Sequence, residues 1–301
     1  VEVTRNVLDR VLSGRTIVSM CISDVWSKQL QRAGNKFPIT ADRRSEPGGH
    51  GGIIGREIEN VSRHGKYYYI NLKESKEGLE PDSWITIEGH LRMTGGWWIR
   101  PKGASWPEDF PDKHCHLGLE LDDGSTAIYR DVRRFGTLRL YTEEDLKSSN
   151  GVKGLDPITS TWRFKDLINS IGSTTRSAKT TLLDQSRIAG LGNIYVCEIL
   201  HLAGIDPRRR ANEISTDEWK KIHSKTKPIL QESIQVGGTR LTNLDSLQYI
   251  HEPQLYLDNF EVKLQVYGRV NEPCLRRGCS GTIERIVQEQ RSTFYCPSCQ
   301  A

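Results

Sequence analysis

The chain has 301 residues, of which 36% are hydrophobic and 27% are charged, and its formal net charge is +4 at pH 7. This length allows two domains rather than one, and the composition is that of a soluble globular protein. The sequence contains no apolar run of about 18 residues, so it predicts no transmembrane helix. No signal peptide is visible, because Val1 begins directly in a helical pattern interleaved with Glu2, Arg5 and Asp9. The small positive charge points towards a polyanionic partner.

The first half of the chain is predicted to be rich in β-strands behind a single helix. Apolar residues recur at helical spacing from Val3 to Val11, and Gly14 follows as a C′ glycine. Short apolar segments separated by turn residues come next, which indicates a sandwich or a barrel. Residues 98–114 contain three prolines and are predicted to form a long loop.

The second half is predicted to be helical. The polar stretch 143–157 is interpreted as a linker, and helical patterns follow it. In the longest of these, residues 215–235, Ser215 and Glu218 have the spacing of a capping box. Residues 239–259 lack a clear period, and we predict a mobile loop there.

A glycine-rich turn separates two of these helices. Gly190 and Gly192 predict a tight turn, and Asn193 opens the second helix. Backbone N–H groups at a helix start suit a phosphate, and the Asn193 amide can add a donor. An ordinary capped helical hairpin is the alternative. The basic run 208–210 favours the phosphate interpretation.

Four further positions between predicted strands have side chains suited to DNA. Arg133 can bind a phosphate or a base edge, and Phe135 can wedge into a base stack. Met93 lies in a predicted loop and suits a wedge, although a core methionine is the alternative. Lys66 follows Gly65 and could bind phosphate or act in acid–base chemistry, although most lysines are merely solvated.

The C-terminal stretch predicts a metal site. Two cysteine pairs, Cys274 with Cys279 and Cys296 with Cys299, are separated by sixteen residues that suit a β-hairpin. Paired thiols at such spacing close a tetrahedral Zn²⁺ site, and two disulfides are the alternative. The three other cysteines of the chain are scattered, which fits a reducing compartment. Arg291 falls where the returning strand begins, so it could meet a phosphate or simply be solvated.

Six motifs now resemble the formamidopyrimidine-DNA glycosylase and endonuclease VIII family of base-excision repair enzymes, in order and over nearly the full length. The motifs are HGKYYYI, HLRMTGG, DVRRFG, GLGNIYVCE with LAGIDP, QVYGR, and QRSTFYCPSCQ. The resemblance implies an α+β multidomain protein with DNA in the cleft between its halves. The expected parts are an N-terminal β-sandwich catalytic domain with a leading helix (1–145), a DNA-binding helix–two-turns–helix domain (155–238) and a C-terminal zinc-finger β-hairpin (260–301).

The resemblance also implies site residues. Lys66 corresponds to a lysine that assists catalysis, and Arg291 to a catalytic-site arginine that grips phosphates with Asn193. A trio corresponds to the group that fills the hole left by the extruded base, and His114, like Arg133 of the trio, matches a DNA-contacting position. The trio consists of Met93, Arg133 and Phe135.

The chain departs from the family pattern in two places. Family members begin with a proline, whose amine attacks the sugar, and then a glutamate; here the sequence begins VEVTRNVLDR. Aligned by Gly14, Val1 falls five residues inside the family start, and Glu2 matches a later, non-catalytic position. We expect the missing start to lie upstream, since every other motif is intact. The first cysteine pair is C-x4-C where the family usually has C-x2-C, and we expect it to close nevertheless.

The resulting functional prediction is a bifunctional DNA glycosylase and AP lyase that excises oxidised or ring-opened purines from duplex DNA. Two alternatives stay within the family: a catalytically silent DNA-binding member, and an endonuclease VIII-like enzyme specific for oxidised pyrimidines. A third is a zinc-ribbon nucleic-acid module on an unrelated β domain. We expect one structural Zn²⁺ per chain, damaged double-stranded DNA as partner, no membrane, and a monomer. It should reside wherever genomic DNA is, in the cytoplasm and nucleoid or in the nucleus, and not be secreted.

Overall fold

The computed structural model describes residues 1–23, 53–73, 84–103, 114–148, 154–237 and 263–300. These form two compact units, one on either side of residue 150. The loop predicted at 239–259 lies outside the described residues.

The first unit is a β-sandwich behind one helix. Its elements are α1 (Glu2–Leu12), β1 (Ile17–Ile22), β2 (Ile58–His64), β3 (Tyr67–Leu72), β4 (Trp84–His90), β5 (Gly95–Arg100), β6 (Cys115–Leu121), β7 (Thr126–Asp131), β8 (Thr137–Thr142) and α2 (Glu143–Ser148). The strands form two antiparallel sheets, in the orders β1-β6-β7-β5 and β2-β3-β4-β8. One apolar cluster joins α1 to residues from both sheets, which is the layered core of a sandwich.

Two elements of this unit differ from the sequence prediction. Strand β5 covers Gly95–Arg100, where a loop was expected from Trp98 onwards. It forms because it pairs with β7 and because Trp97 is buried, its indole N–H donating to the Tyr68 hydroxyl at 2.8 Å. Helix α2 lies inside the predicted linker; Thr142 and Asp145 cap each other reciprocally at 3.1 Å, the geometry of a capping box.

The second unit begins with helices. They are α3 (Phe164–Ile171), α4 (Ala178–Leu183), α5 (Asn193–Ala203), a 3₁₀ turn (Ala211–Glu213) and α6 (Thr216–Gln235). The capping box predicted for Ser215 and Glu218 is confirmed at the start of α6. Helix α5 ends at Gly204, whose φ of +75° is the left-handed conformation that glycine adopts without strain. No helix among the residues described here is long and apolar enough to cross a membrane.

A hairpin completes the second unit. Strands β9 (Glu284–Gln288) and β10 (Arg291–Tyr295) are joined by a turn of only two residues. Both turn residues, Glu289 and Gln290, have positive φ angles of +46° and +60°. Tight hairpins require this conformation, which residues other than glycine seldom adopt. A small apolar cluster that includes Cys197 of α5 packs beneath the hairpin.

Candidate nucleic-acid interface and metal centre

Four cysteine thiols converge beside the hairpin. The Sγ atoms of Cys274, Cys279, Cys296 and Cys299 all lie within 4.8 Å of one another. The Cys274–Cys299 and Cys279–Cys296 sulfurs are 3.8 and 3.7 Å apart. Tetrahedral Zn²⁺ with Zn–S bonds of about 2.3 Å needs sulfurs about 3.8 Å apart, whereas a disulfide needs about 2.05 Å. The predicted structural zinc site is therefore confirmed, with a C-x4-C pair that closes, and the disulfide alternative is wrong.

Backbone amides and a histidine surround these thiols. The N–H of Arg276 points at the Cys274 sulfur at 3.5 Å, and the N–H of Gly281 points at the Cys279 sulfur at 3.4 Å. The buried His201 of α5 has its Nε2 atom 3.4 Å from the Cys274 sulfur. Such outer contacts orient thiolate ligands and offset their charge. The metal centre is thereby bonded to helix α5.

Helix α5 also holds the segment that leads into the zinc finger. Glu198 is buried, and its carboxylate accepts N–H groups from Gln265 at 2.7 Å, Val266 at 3.0 Å and Tyr267 at 2.8 Å. A buried carboxylate is costly unless it is hydrogen-bonded, and three amide donors satisfy this one. The sequence prediction missed Glu198, although it lies inside the GLGNIYVCE motif.

The hairpin is bonded to the helices near its turn. The Asn193 side-chain amide donates to the carbonyl of Ser292 at 2.8 Å, and Gln288 donates to the Pro207 carbonyl at 3.2 Å. Arg291 immediately precedes Ser292, and its side chain is exposed. The structure thus brings together Asn193 and Arg291, the two residues predicted to grip phosphate.

A buried lysine lies beneath this contact. Lys179 of α4 is 1% exposed, and its Nζ donates to the Ser292 carbonyl at 3.0 Å and to the Thr293 hydroxyl at 2.5 Å. Burial lowers the pKa of its ammonium group below the ordinary value. Lys179, Arg176 and Arg291 help to line a cavity of about 270 Å³ between α4 and the hairpin. The sequence gave no sign of Lys179, because only the fold brings residue 179 to residue 292.

In the first unit, the structure brings the predicted wedge residues together. The Arg133 guanidinium lies 4.7 Å from the centre of the Phe135 ring, and its Nη1 is 3.2 Å from the Met93 sulfur. Met93 is 67% exposed and Phe135 is 55% exposed. The core alternative for Met93 is therefore wrong. Two large apolar side chains and a cation stand together in solvent, a combination suited to entering a base stack.

A buried carboxylate shapes the wedge loop, residues 132–136. Asp131 is 0% exposed and accepts the N–H of Gly136 at 2.6 Å and the N–H of Arg133 at 3.2 Å. The Thr94 hydroxyl, next to Met93, donates to the same carboxylate at 2.5 Å. Asp131 therefore ties the loop of Arg133 and Phe135 to the turn of Met93. The sequence prediction missed it, although an aspartate opening a turn is a common signal.

Lys66 lies in the two-residue turn between β2 and β3, after Gly65 with φ of +58°. Arg63, at the end of β2, donates to the Gly65 carbonyl at 2.6 Å and to the Glu2 carboxylate at 2.5 Å. The start of α1 is therefore beside this turn.

His90 connects the Lys66 turn to the turn that bears Met93. Its ring lies 4.7 Å from the Tyr67 ring, and its Nδ1 accepts the N–H of Arg92 at 3.0 Å. Burial, together with the charges of Arg92 and Lys66, lowers the His90 pKa to about 4. The neutral imidazole is thus an acceptor that supports the Met93 turn.

The register of the sheet explains why these loops are neighbours. Tyr67 of β3 pairs with His90 of β4, which pairs with Thr137 of β8. Along the chain, Lys66 comes immediately before Tyr67, and Met93 comes three residues after His90. The wedge loop ends immediately before Thr137. One end of one sheet therefore presents the Lys66 turn and all three wedge residues.

His114 is half-buried at the base of the wedge loop. Its carbonyl accepts the N–H of Asp131 at 2.8 Å. Of the predicted site residues, Lys66, Met93, His114, Arg133 and Phe135 thus belong to the first unit, and the remaining ones belong to the second.

Comparison with protein-family models matches three segments of the chain. Residues 1–138 match the formamidopyrimidine-DNA glycosylase N-terminal domain, and residues 153–245 match the H2TH domain of the same glycosylase. Residues 271–301 match a zinc finger found in FPG and IleRS.

Curated relatives and solved structures are similar over almost the whole chain. The formamidopyrimidine-DNA glycosylases of Streptococcus mutans and Bacillus subtilis are 34% and 32% identical to it, over 100% of this chain and 97% of each relative. A Lactococcus lactis FPG variant, solved with a Fapy-dG containing DNA, has a TM-score of 0.74 at 28% identity and covers 99% of this chain and 97% of its own. The Lactococcus lactis Fpg with an abasic site containing DNA gives 0.75 at 27% identity, covering 100% and 97%.

Proposed function

Because the chain belongs to the formamidopyrimidine-DNA glycosylase family, we propose that it removes oxidised or ring-opened purines from duplex DNA and then cuts the strand at the abasic site. The observation that carries the proposal is the exposed group of Met93, Arg133 and Phe135. An enzyme that acts on a base inside a duplex must extrude it, and the vacated space and the orphaned partner base must then be satisfied. Two apolar side chains and one arginine meet these two needs.

The chemistry requires a nucleophilic amine near the extruded nucleotide. In the proposed reaction, the secondary amine of the family's N-terminal proline attacks the sugar C1′, the damaged base leaves, and a Schiff base forms. Successive β- and δ-elimination then break the strand on both sides of the sugar. The alignment at Gly14 places the family start five residues before Val1, so the proposal requires that proline upstream. The packing of α1 beside the Lys66 turn supports this arrangement.

Each predicted site residue has a proposed role. Lys66 assists proton transfer at the sugar, since its turn lies beside the start of α1. Asn193 and Arg291 hold the phosphates next to the extruded nucleotide, and His114 contacts DNA near the base of the wedge loop. Zinc, held by the four cysteines, stabilises the finger that bears Arg291 and takes no part in the reaction.

The proposed domain division is a catalytic sandwich over residues 1–145, a DNA-binding helical domain over 155–238 and a zinc finger over 260–301. The protein would act as a monomer on damaged double-stranded DNA. Its place in the cell would be wherever the genome is, in the nucleoid or the nucleus.

Cleavage of defined duplexes tests the proposal. The protein, produced with the family's N-terminal proline and glutamate in place, is incubated with duplexes that bear an oxidised guanine, a ring-opened purine, an oxidised pyrimidine or a preformed abasic site. We expect base release and strand cleavage with the two purine lesions, and strand cleavage alone at the abasic site. Borohydride should reduce the Schiff base and leave protein covalently bound to the DNA.

The competing functions give different outcomes in the same assay. A catalytically silent member would bind the lesions without cleavage or borohydride trapping. An enzyme of endonuclease VIII type would prefer the oxidised pyrimidine. A plain zinc-ribbon module would bind damaged and undamaged duplexes equally. Any of these results contradicts the proposal.

A further inference from the structure

Lys179 is a buried cation for which the proposed chemistry has no use. It is 1% exposed, and its two hydrogen-bond acceptors, the Ser292 carbonyl and the Thr293 hydroxyl, are both uncharged. Removing an ammonium group from water is costly unless hydrogen bonds compensate it. A charge kept at such a costly position implies that its contact with the hairpin contributes to structure or function.

The contact point is shared with Asn193. The Ser292 carbonyl accepts from Lys179 Nζ at 3.0 Å and from Asn193 Nδ2 at 2.8 Å. A carbonyl oxygen has two lone pairs, and these two donors occupy both. Three elements therefore meet at one atom: α4 through Lys179, α5 through Asn193, and β10 through Ser292.

The backbone on the other side of Arg291 is strained. Glu289 and Gln290 both have positive φ angles, +46° and +60°, without being glycine. Such conformations persist only where surrounding contacts determine them, and they cluster at functional sites. Arg291 thus lies between a strained turn and a carbonyl that is fixed by two donors.

We propose that Lys179 is a positioning residue for Arg291. By holding the Ser292 carbonyl against Asn193, it fixes the backbone from which the Arg291 guanidinium projects, so that Asn193 and Arg291 grip one DNA phosphate as a unit. The inference rests on the proposed function, because it presumes that Arg291 meets a phosphate. Lys179 itself does not touch DNA.

A double-mutant cycle tests this coupling. The ligand is a duplex with a reduced abasic site, which cannot react, and affinity is measured at several salt concentrations. Arg291→Ala should weaken binding about tenfold, the value of one charge-assisted hydrogen bond, and lower the salt slope by about one. Lys179→Met keeps the side-chain volume but removes the donors, and it should weaken binding by a similar factor. In the Arg291→Ala background, Lys179→Met should have little further effect.

Other outcomes overturn the inference. Additive losses, with the salt slope falling by about two in the double mutant, would mean that Lys179 binds a phosphate itself. A fall in zinc content or melting temperature in Lys179→Met, with additive effects on binding, would mean that Lys179 only supports the fold. If Arg291→Ala alone has no effect, the phosphate role in the proposed function fails instead.

Two further variants keep the test decisive. Thr293→Val is nearly isosteric and removes one acceptor of Lys179; it should weaken binding in the same direction but less, again only when Arg291 is present. This variant reports on the coupling even if Lys179→Met folds poorly, and loss of its dependence on Arg291 counts against the inference. Lys220→Met, at an exposed lysine of α6, is the matched control and should leave affinity unchanged.

Discussion

The wedge loop of the first unit and the hairpin turn of the second are each supported by a buried charged side chain, but the two charges have opposite signs. Each is a short segment that presents an arginine, and each contains residues other than glycine with positive φ: Arg134 at +59° in the loop, Glu289 and Gln290 in the turn. Under the loop, buried Asp131 accepts backbone N–H groups. Under the hairpin, buried Lys179 donates to a backbone carbonyl.

The difference teaches that the sign of a buried charge follows from which backbone groups a segment leaves unpaired. A loop that points several N–H groups inwards needs an acceptor, and a carboxylate supplies two oxygens. A strand that points a carbonyl inwards needs a donor, and an ammonium group supplies three. The wedge loop owes its shape to side chain–backbone bonds, whereas in the hairpin such a bond is added to the β9–β10 ladder.

The largest expected effect comes from removing the metal that supports the hairpin. Cys296→Ser should lose zinc and abolish DNA binding while the first unit stays folded, because a small metal-bound finger has too little core without its metal. Elemental analysis, binding to a lesion duplex and circular dichroism measure the three claims. Cys21→Ser, at a half-buried cysteine in β1, is the control and should keep its zinc. Wild-type protein free of zinc would contradict the prediction.

The next largest effect is expected for Asp131→Ala, which removes the buried carboxylate that supports the wedge loop. The Thr94 hydroxyl and two backbone N–H groups lose their acceptor at a buried position, so the first unit should be destabilised by about 2–4 kcal/mol. Urea unfolding measures this loss. Thr94→Val removes a single bond and should cost about 1 kcal/mol. Equal stability of Asp131→Ala and wild type would mean that the loop does not depend on its anchor.

Phe135→Ala tests the exposed aromatic ring of the wedge loop rather than the carboxylate that anchors the loop. Stacking on an aromatic ring is worth about 1–3 kcal/mol, so base removal from duplex DNA should slow by about ten- to a hundredfold. Cleavage at a preformed abasic site should change much less, since no base remains to be extruded. The melting temperature should stay constant, because the ring is 55% exposed.

Both rates must be measured on protein with its N-terminal amine in place. Val18→Ala, at an exposed valine of β1 away from the wedge loop, is the control and should leave both rates unaltered. Equal loss of both activities together with a large drop in melting temperature would instead make Phe135 a structural residue.

The smallest expected effect concerns His90, which supports the Met93 turn as a neutral hydrogen-bond acceptor. Its pKa is about 4 in the folded protein, below the ordinary value of about 6.5, so the unfolded chain binds a proton more readily. Its contribution to stability is therefore complete above about pH 6.5 and is lost as pH falls towards 4. Between pH 7 and 5.5 this amounts to about 1 kcal/mol of unfolding free energy.

Urea unfolding at pH 7 and pH 5.5 compares wild type with His90→Asn. The variant should show a smaller loss of stability between the two pH values. An identical pH dependence in the two proteins would show that His90 already titrates normally when folded.

Local patterns predicted much of this architecture. Cysteine spacing predicted the zinc site, and the serine and glutamate three residues apart predicted the start of α6, because each signal is complete within a few residues. Strand β5 was missed in part because proline and glycine around it resemble a loop, while its pairing with β7 is a long-range property. Helix α2 was missed although Thr142 and Asp145 have capping-box spacing.

The site residues show the same division between local sequence signals, which can be predicted, and long-range contacts, which cannot. Motifs indicated Lys66, Asn193 and Arg291, but no local pattern could indicate Lys179, whose partners are more than a hundred residues away. The chemistry of Met93 left a core position open, and only its exposure in the fold decided the matter. Anchors beneath a site are harder to predict than the residues it displays, because an anchor is defined by its partner.

Helix α5 has a consequence for how the second unit opens. Asn193, Glu198 and His201 bond it in turn to the hairpin, to the segment entering the finger and to a zinc ligand. Segments bonded in this way tend to unfold as one cooperative block rather than separately. The amide hydrogens of residues 265–267 should then exchange with solvent at the same slow rate as those in the middle of α5, and chelating the metal should accelerate both together. The finger is in this sense an extension of the helix, and grafting it alone onto another protein would leave its entering segment without the carboxylate that holds it.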